Sequence, residues 1–226
     1  PPTPPRIECR RQRQMCIRDS DEIAARIAAD IPDGAYVNLG IGRPEAVANH
    51  VPPGKEIILQ SENGLLGMGG AASDNEKDLE LVNAGKKPIV MLPGGAFFHH
   101  ADSFAMIRGG HLDVCVLGGY QVATNGDVAN WSTGKPGAIP AVGGAMDLGV
   151  GAKQVFVLMT HTTKEGEPKL VEEITYPATA RGACTRVYTD LAVLAVANGV
   201  FIVEDMVDGM TLEELQKRTA APLKAN

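Results

Sequence analysis

The spacing of apolar residues along this chain is typical of helices in some segments and of strands in others. Ile23, Ile27 and Ile31 recur at helical intervals. Asp19 and Glu22, which precede them, are spaced like a capping box, so we predict that a helix begins there. Short aliphatic runs bounded by glycine, proline or polar residues predict buried strands. These runs are 36–42, 57–59, 89–92, 112–117 and 155–159.

The C-terminal part of the chain carries a hairpin signal. Two apolar runs, 191–196 and 200–203, flank Asn198-Gly199, a dipeptide typical of tight hairpin turns. Further helices are predicted over 44–50, 97–108 and 212–218. Because helices and short strands alternate over most of the chain, we predict an α/β fold. Its sheet is open, layered and mostly parallel, with helices on both faces and an antiparallel C-terminal hairpin.

Residues 1–18 do not share this pattern. They begin with prolines and carry five arginines without helical or strand spacing. We predict a disordered or non-native extension here, with a basic binding arm as the alternative. The rest of the chain, 19–226, shows neither an internal repeat nor a linker, so we predict a single domain.

Composition narrows the function classes. Apolar residues make up 44 % and charged residues 21 % of the chain, as in globular rather than disordered proteins. A net charge of -6 gives no reason to expect nucleic acid or an anionic membrane as partner. No apolar run reaches the roughly 18 residues of a membrane span. The four cysteines match no zinc spacing, and Cys115 lies in an apolar run, so we expect a buried thiol in a reduced, cytoplasmic protein.

The strongest candidate for chemistry is Glu62. It follows the buried strand 57–59 and a polar pair, and closely spaced glycines come directly after it. Ligands of α/β folds bind at the carboxyl ends of parallel strands, and glycines let a bulky ligand approach the backbone. A solvated glutamate in a turn is the alternative interpretation, because strand ends often carry carboxylates.

Two other positions are further candidates for a functional role. Asn38 lies between apolar residues in the first strand, and its amide must find hydrogen-bond partners there or bond to a turn. Gly143-Gly144 precedes a predicted helix, whose free backbone N–H groups could hold an oxyanion; a plain helix start is the alternative.

Metal and nucleotide motifs fit poorly. His99 and His100 are adjacent and would point apart on a helix, so we predict a polar pocket lining or a helix N-terminus rather than a metal site. Gly40-Ile41-Gly42 begins like a dinucleotide fingerprint, but Glu45 stands where its third glycine should be.

Taken together, these stretches resemble the β-type subunit of the 3-oxoacid CoA-transferases. The matching segments run in order over nearly all of 36–193, and the most specific is the one around Glu62. They are VNLGIG, LQSENGLLGMG, LVNAGK, SFAMIRGGH, LGGYQV, GDVANW, GGAMDL and TDLAV. The segment GGAFFHHADSF makes the chain most similar to the 3-oxoadipate branch of the family.

The resemblance implies roles for individual residues. Glu62 would be the nucleophile that carries CoA as a glutamyl thioester. Asn38 and the backbone N–H of Gly144 would stabilise the oxyanions, and Lys86 would pair with the substrate's carboxylate, unless it is a solvated surface lysine.

Asn63 and Gly64 would contribute to substrate binding. Arg43 and Glu45 depart from the family, which commonly has an apolar residue and threonine at those positions.

The resemblance also implies partners. The substrates would be an acyl-CoA such as succinyl-CoA and a 3-oxoacid, and no metal or other cofactor would be needed. An α-type subunit would complete a heterodimer or α2β2 assembly with the site at the interface. The alternatives are an acetoacetate or acetate CoA-transferase subunit, an acyl-CoA hydrolase that uses the same glutamate, and a non-enzymatic sensing domain on a related scaffold.

Overall fold

The computed structural model describes residues 17–134 and 141–226, and these form four α-helices, a 3₁₀ helix and thirteen strands. The α-helices are α1 (Ser20–Asp30), α2 (His100–Arg108), α3 (Ala145–Gly151) and α4 (Leu212–Gln216), and the 3₁₀ helix is Arg43–Asn49. The strands are β1 (Ala35–Leu39), β2 (Ile57–Ser61), β3 (Leu65–Ala71), β4 (Ile89–Phe97), β5 (Leu112–Gly118), β6 (Gln121–Ala123), β7 (Val128–Ala129), β8 (Ala152–Leu158), β9 (Leu170–Val171), β10 (Cys184–Tyr188), β11 (Ala192–Ala197), β12 (Val200–Met206) and β13 (Leu223–Ala225).

Ten of these strands form one open sheet in the order β13-β12-β11-β10-β8-β5-β1-β2-β3-β4. The central strands β2, β1, β5, β8 and β10 pair in parallel, and β10, β11 and β12 pair antiparallel. The predicted parallel sheet and C-terminal hairpin are therefore confirmed. A second antiparallel region, β2-β3-β4, was not predicted. A separate small sheet has the order β7-β6-β9.

Helices cover both faces of the large sheet, as predicted. On β5, Val114 and Val116 point into a core that includes residues of α1, whereas Cys115 and Leu117 point into a core that includes residues of α2, α3 and α4. This alternation follows the two-residue period of a strand. Cys115 is a fully buried thiol, as expected from its apolar run, and burial raises its pKa.

The glycine-rich stretch after Gly64 is strand β3, whereas we expected its glycines to let a bulky ligand approach the backbone. In β3, a Cβ added to Gly67 would lie 3.0 Å from the Cα of Gly95, and one added to Gly69 would lie 2.6 Å from Val90. These glycines therefore let β3 and β4 approach each other closely.

Two boundaries near α2 also differ from the predicted ones. Strand β4 does not end at Pro93 but continues to Phe97, which proline permits because β4 is an edge strand. Helix α2 begins at His100 rather than at Phe97, and His99 Nδ1 caps it by accepting the backbone N–H of Ala101 at 3.1 Å. His99 thus marks a helix N-terminus, one of the two roles predicted for the pair.

The first helix begins as predicted. Asp19 caps α1, and Glu22 completes the capping box. Arg18, which we assigned to the extension, contacts the domain: its side chain pairs with Asp205 at 2.8 Å and its backbone N–H donates to Asp190. The predictions for residues 1–16 lie outside the described residues. Within 17–134 and 141–226, no helix combines the length and apolar content that crossing a membrane requires.

Candidate active site

Glu62 is held at the tip of a tight turn between β2 and β3. The N–H of Gly64 donates to the carbonyl of Ser61 at 3.0 Å, so Glu62 and Asn63 are the central residues of the turn. Gly64 has φ +112°, and its carbonyl accepts the N–H of Phe98 at 3.0 Å. A Cβ at Gly64 would collide with the carbonyl oxygen of Phe98, so the turn requires glycine for both conformation and space.

Asn38 approaches Glu62 from the neighbouring strand. In the parallel pair of β1 and β2, Asn38 lies opposite Gln60, two residues before Glu62. Its Nδ2 lies 2.6 Å from Gln60 Oε1 and 3.3 Å from Glu62 Oε2. Asn38 is fully buried, and its Oδ1 has no hydrogen-bond partner among the described residues. The carboxylate of Glu62 therefore faces an amide donor that the sheet holds in place.

A buried network fixes this amide. Gln60 Nε2 donates to Ser103 Oγ at 2.5 Å, and Ser103 Oγ donates to the carbonyl of Ser61 at 3.2 Å. Both side chains are almost entirely buried. Helix α2, which carries Ser103, thereby orients the polar side chains of β1 and β2. Buried networks of this kind hold catalytic groups rigidly.

Gly144 lies on the other side of Glu62. It is the N-cap residue of α3, and a Cβ built on it would lie 3.9 Å from Glu62 Oε1 and 3.1 Å from the ring of Phe104. The structure thus brings together Glu62, Asn38 and Gly144, three residues that lie far apart in the sequence. The roles assigned to them remain predictions.

Glu62 and Gly144 border a cavity of about 580 Å³ at the carboxyl ends of the central parallel strands. Glu62 lines its wall together with the ends of β1, β5 and β8, and the first turn of α3 closes another side. Ligand sites of open α/β sheets lie at such strand ends. Within the described part of the chain, no cluster of three or more histidine, cysteine, aspartate or glutamate side chains could hold a metal.

Lys86 and Asn63 lie outside this cavity lining. Lys86 is exposed, has φ 62°, and belongs to the turn that follows Asn83. Asn63 is also exposed and donates to the carbonyl of Val82 at 2.8 Å. The segment around Lys86 therefore packs beside the Glu62 turn, but the lysine ammonium does not line the cavity that contains Glu62.

Glu45 and Arg43, the departures from the family pattern, have different surroundings. Glu45 accepts the N–H of Gly42 at 2.9 Å and the amide of Asn83 at 2.8 Å, and it pairs with Lys87 at 2.8 Å. It therefore ties the 3₁₀ helix to the turn that contains Lys86. Arg43, at the start of the 3₁₀ helix, lines the cavity with Glu62.

Sequence reasoning missed Lys169, which also lines this cavity. Burial and the charge of Arg43 lower its pKa to about 8, and Asp190 opposes the shift. Its Nζ donates to Thr160 Oγ1 at 3.2 Å. The local sequence contains no signal for it, because Lys169 follows a polar loop and precedes a two-residue strand in a different sheet from Glu62.

The family model described as "Coenzyme A transferase" matches residues 20–218. The chain belongs to the coenzyme A transferase family. This transferase is 58 % identical over 203 residues to the B subunit of 3-oxoadipate CoA-transferase from Acinetobacter baylyi, covering 90 % of this chain and 94 % of that protein. It is 46 % identical over 201 residues to the B subunit of succinyl-CoA:3-ketoacid coenzyme A transferase from Helicobacter pylori, covering 89 % and 96 %.

The fold is similar to that of solved transferases. The apoenzyme of an acyl-CoA transferase from Escherichia coli O157:H7 superposes with a TM-score of 0.72 at 19 % identity over 92 % of this chain. The match spans 42 % of that structure's chain. The coenzyme A transferase described here therefore corresponds to less than half of that larger protein.

Proposed function

We propose that this chain is the β-type subunit of an enzyme that moves CoA from succinyl-CoA to a 3-oxoacid, specifically 3-oxoadipate. The substrates are taken from the relatives named above. The observation that carries the proposal is the position of Glu62, whose carboxylate lines the cavity between the amide of Asn38 and the first turn of α3.

Glu62 acts as a covalent carrier. One of its carboxylate oxygens attacks the thioester carbonyl of succinyl-CoA. The C–S bond breaks, CoA leaves as a thiolate, and a mixed anhydride between Glu62 and the succinyl group remains. The thiolate then attacks the Glu62 carbonyl, which releases succinate and leaves a glutamyl-CoA thioester. The carboxylate of 3-oxoadipate repeats these steps in reverse and regenerates Glu62. Thioester energy is retained throughout, so the route requires no metal, ATP or other cofactor.

Each step passes through a tetrahedral oxyanion next to Glu62. The Nδ2 of Asn38 and the backbone N–H of Gly144 are the donors in this proposal, and their surroundings favour the role, because a buried network fixes Asn38 and Gly144 caps a helix. Losing one donor of this kind costs about 2.7–4 kcal/mol of transition-state stabilisation.

An α-type subunit completes the site and excludes water from the anhydride and thioester. The names of the two relatives support such a partner, since each describes one subunit of a larger enzyme. Apolar side chains near the cavity also support it, since Ile41 and Tyr120 line the cavity yet are exposed, and Met146 and Val150 on α3 are exposed as well. Exposed apolar surface beside a site is typical of an interface.

We place the enzyme in the cytoplasm. Cys115 and Cys184 are free buried thiols, which suits a reducing compartment.

Mass spectrometry of the subunit pair after incubation with succinyl-CoA tests the proposal. We expect a CoA adduct on the peptide that contains Glu62, and its loss in Glu62→Ala. Glu167→Ala, at an exposed position that does not line the cavity, is the matched control and should form the adduct normally. Absence of the adduct from wild type, with activity intact in Glu62→Ala, contradicts the mechanism.

A further inference from the structure

Two cationic side chains, Lys169 and Arg43, line the cavity that contains Glu62. Among the described residues, neither has a carboxylate within ion-pair distance, whereas many other cations of the chain do, including Lys87, Lys153 and Arg186. A half-buried ammonium without a counter-ion is unfavourable in the free protein. Asp190 raises the pKa of Lys169 without forming an ion pair, and Glu62 adds a carboxylate to the cavity wall, so the two cations remain able to bind an anionic ligand group.

Lys169 is fixed in place at the cavity wall. Its backbone N–H donates to the carbonyl of His161 at 3.1 Å, and its carbonyl accepts the N–H of Val122 at 3.0 Å. Thr160 Oγ1 accepts from the ammonium and itself donates to the carbonyl of Thr162 at 2.8 Å. The nearby carboxylate of Asp190 is engaged with the backbone N–H of His161 at 2.7 Å. The ammonium is thus positioned in advance for a ligand.

The chemistry at Glu62 indicates which anion belongs there. A carboxylate that enters the reaction loses its charge when it forms the anhydride. A dicarboxylic substrate keeps a second carboxylate, which stays ionised through every step and needs a cationic partner inside the cavity. The phosphates of CoA, by contrast, are separated from its sulfur by the long pantetheine arm.

We propose that Lys169, together with Arg43, binds the non-reacting carboxylate of dicarboxylic acyl groups such as succinyl and 3-oxoadipyl. The inference rests on the proposed function and deepens it, because it makes these two residues the determinants of dicarboxylate specificity. Both are substrate-binding residues, and Glu62 remains the reacting group.

The test compares 3-oxoadipate with 3-oxohexanoate, which has the same chain length and a methyl group in place of the distal carboxylate. Using the assembled enzyme, kcat and KM are measured for Lys169→Met and Arg43→Leu. For 3-oxoadipate we expect kcat/KM to fall about ten- to a hundredfold, mainly through a rise in KM, because losing a hydrogen bond to a charged group typically weakens binding by about this factor. For 3-oxohexanoate we expect kcat/KM to change by less than about twofold, because this acid has no distal carboxylate that could bond to Lys169 or Arg43.

Two further variants keep the test specific. Lys169→Arg retains the charge and should restore most of the preference for 3-oxoadipate. Lys164→Met, at an exposed position that does not line the cavity, should behave like wild type with both acids. An unchanged ratio of kcat/KM for the two acids in Lys169→Met overturns the inference, whether both values fall together, as expected for a CoA-phosphate site, or neither changes.

Failure of the proposed function gives a different result. In that case wild type transfers CoA to neither acid and forms no adduct on Glu62 with succinyl-CoA. If only the inference fails, wild type forms the adduct and turns over 3-oxoadipate, while Lys169→Met keeps the wild-type ratio of the two acids.

Discussion

The side-chain amide of Asn38 lies 3.3 Å from Oε2 of Glu62, although the two residues come from different strands. Parallel pairing of β1 with β2 sets this distance, because it places Asn38 opposite Gln60. The donor is thus positioned by the sheet itself, and a single substitution can remove it without disturbing the turn that holds Glu62.

Asn38→Ala should slow formation of the glutamyl-CoA adduct about 10²- to 10³-fold, the usual effect of removing one oxyanion donor. Rapid-quench kinetics with succinyl-CoA measure this rate directly, and the KM for succinyl-CoA should change little. The network is tested separately by Ser103→Ala, which leaves Asn38 in place and should have a smaller effect. Equal adduct rates in wild type and Asn38→Ala would remove Asn38 from the mechanism.

Gly64→Ala should destabilise the protein by several kcal/mol and abolish transfer, because φ +112° and the carbonyl of Phe98 both exclude a side chain. Gly54→Ala is the matched control, since Gly54 has φ +81° but nothing within 4 Å of an added Cβ. It should cost only about 1–2 kcal/mol. Thermal unfolding of both variants gives the comparison, and similar melting temperatures would show that strain alone, not the Phe98 contact, governs the turn.

The sequence predicted those parts of the site that depend on local pattern. An apolar run followed by polar residues placed Glu62 at a strand end, and the spacing of Asp19 and Glu22 located the start of α1. The glycines of β3 were misinterpreted because their role depends on β4, which pairs with them from more distant sequence.

Lys169 could not be predicted for a related reason. Its neighbouring strand, β9, belongs to the small sheet, where Leu170 shares a core with Leu117 of β5 and Val157 of β8, and Lys169 beside it lines the cavity. Conversely, Lys86 matched the family segment, yet its turn leaves the side chain exposed to solvent in this chain. The position of Lys169 depends on long-range contacts, which local spacing does not encode.

The activity toward 3-oxoadipate should fall as the pH rises through about 8, because Lys169 then loses its proton in the free enzyme. Burial, then Arg43, lowers this pKa, whereas Asp190 raises it. A pH profile of kcat/KM reports groups of the free enzyme, so the decline should appear there. Lys169→Arg, which stays protonated, should abolish the decline, and 3-oxohexanoate should not show it. A decline of equal size in Lys169→Arg would assign it to another group.

His161 should make the assembled enzyme less stable in acid. Burial, followed by the charges of Arg218 and Lys169, lowers its pKa from 6.5 to about 4, so below pH 6.5 the unfolded chain binds a proton that the folded chain does not. Ionisation of His161 therefore does not lower the free energy of unfolding above pH 6.5, but it lowers it by about 3 kcal/mol as the pH falls from 6.5 to about 4.

Both ring nitrogens of His161 lie within hydrogen-bonding distance of threonine hydroxyls, Thr189 at 3.0 Å and Thr219 at 2.9 Å, so the partners of the ring carry no charge. His161→Gln keeps one donor and one acceptor but cannot ionise in this range. We therefore expect it to be less stable than wild type at pH 8 but to lose less stability between pH 6.5 and pH 4. Melting temperatures at both ends of this range measure the difference. Parallel pH dependences for wild type and His161→Gln would show that the acid lability arises from other groups.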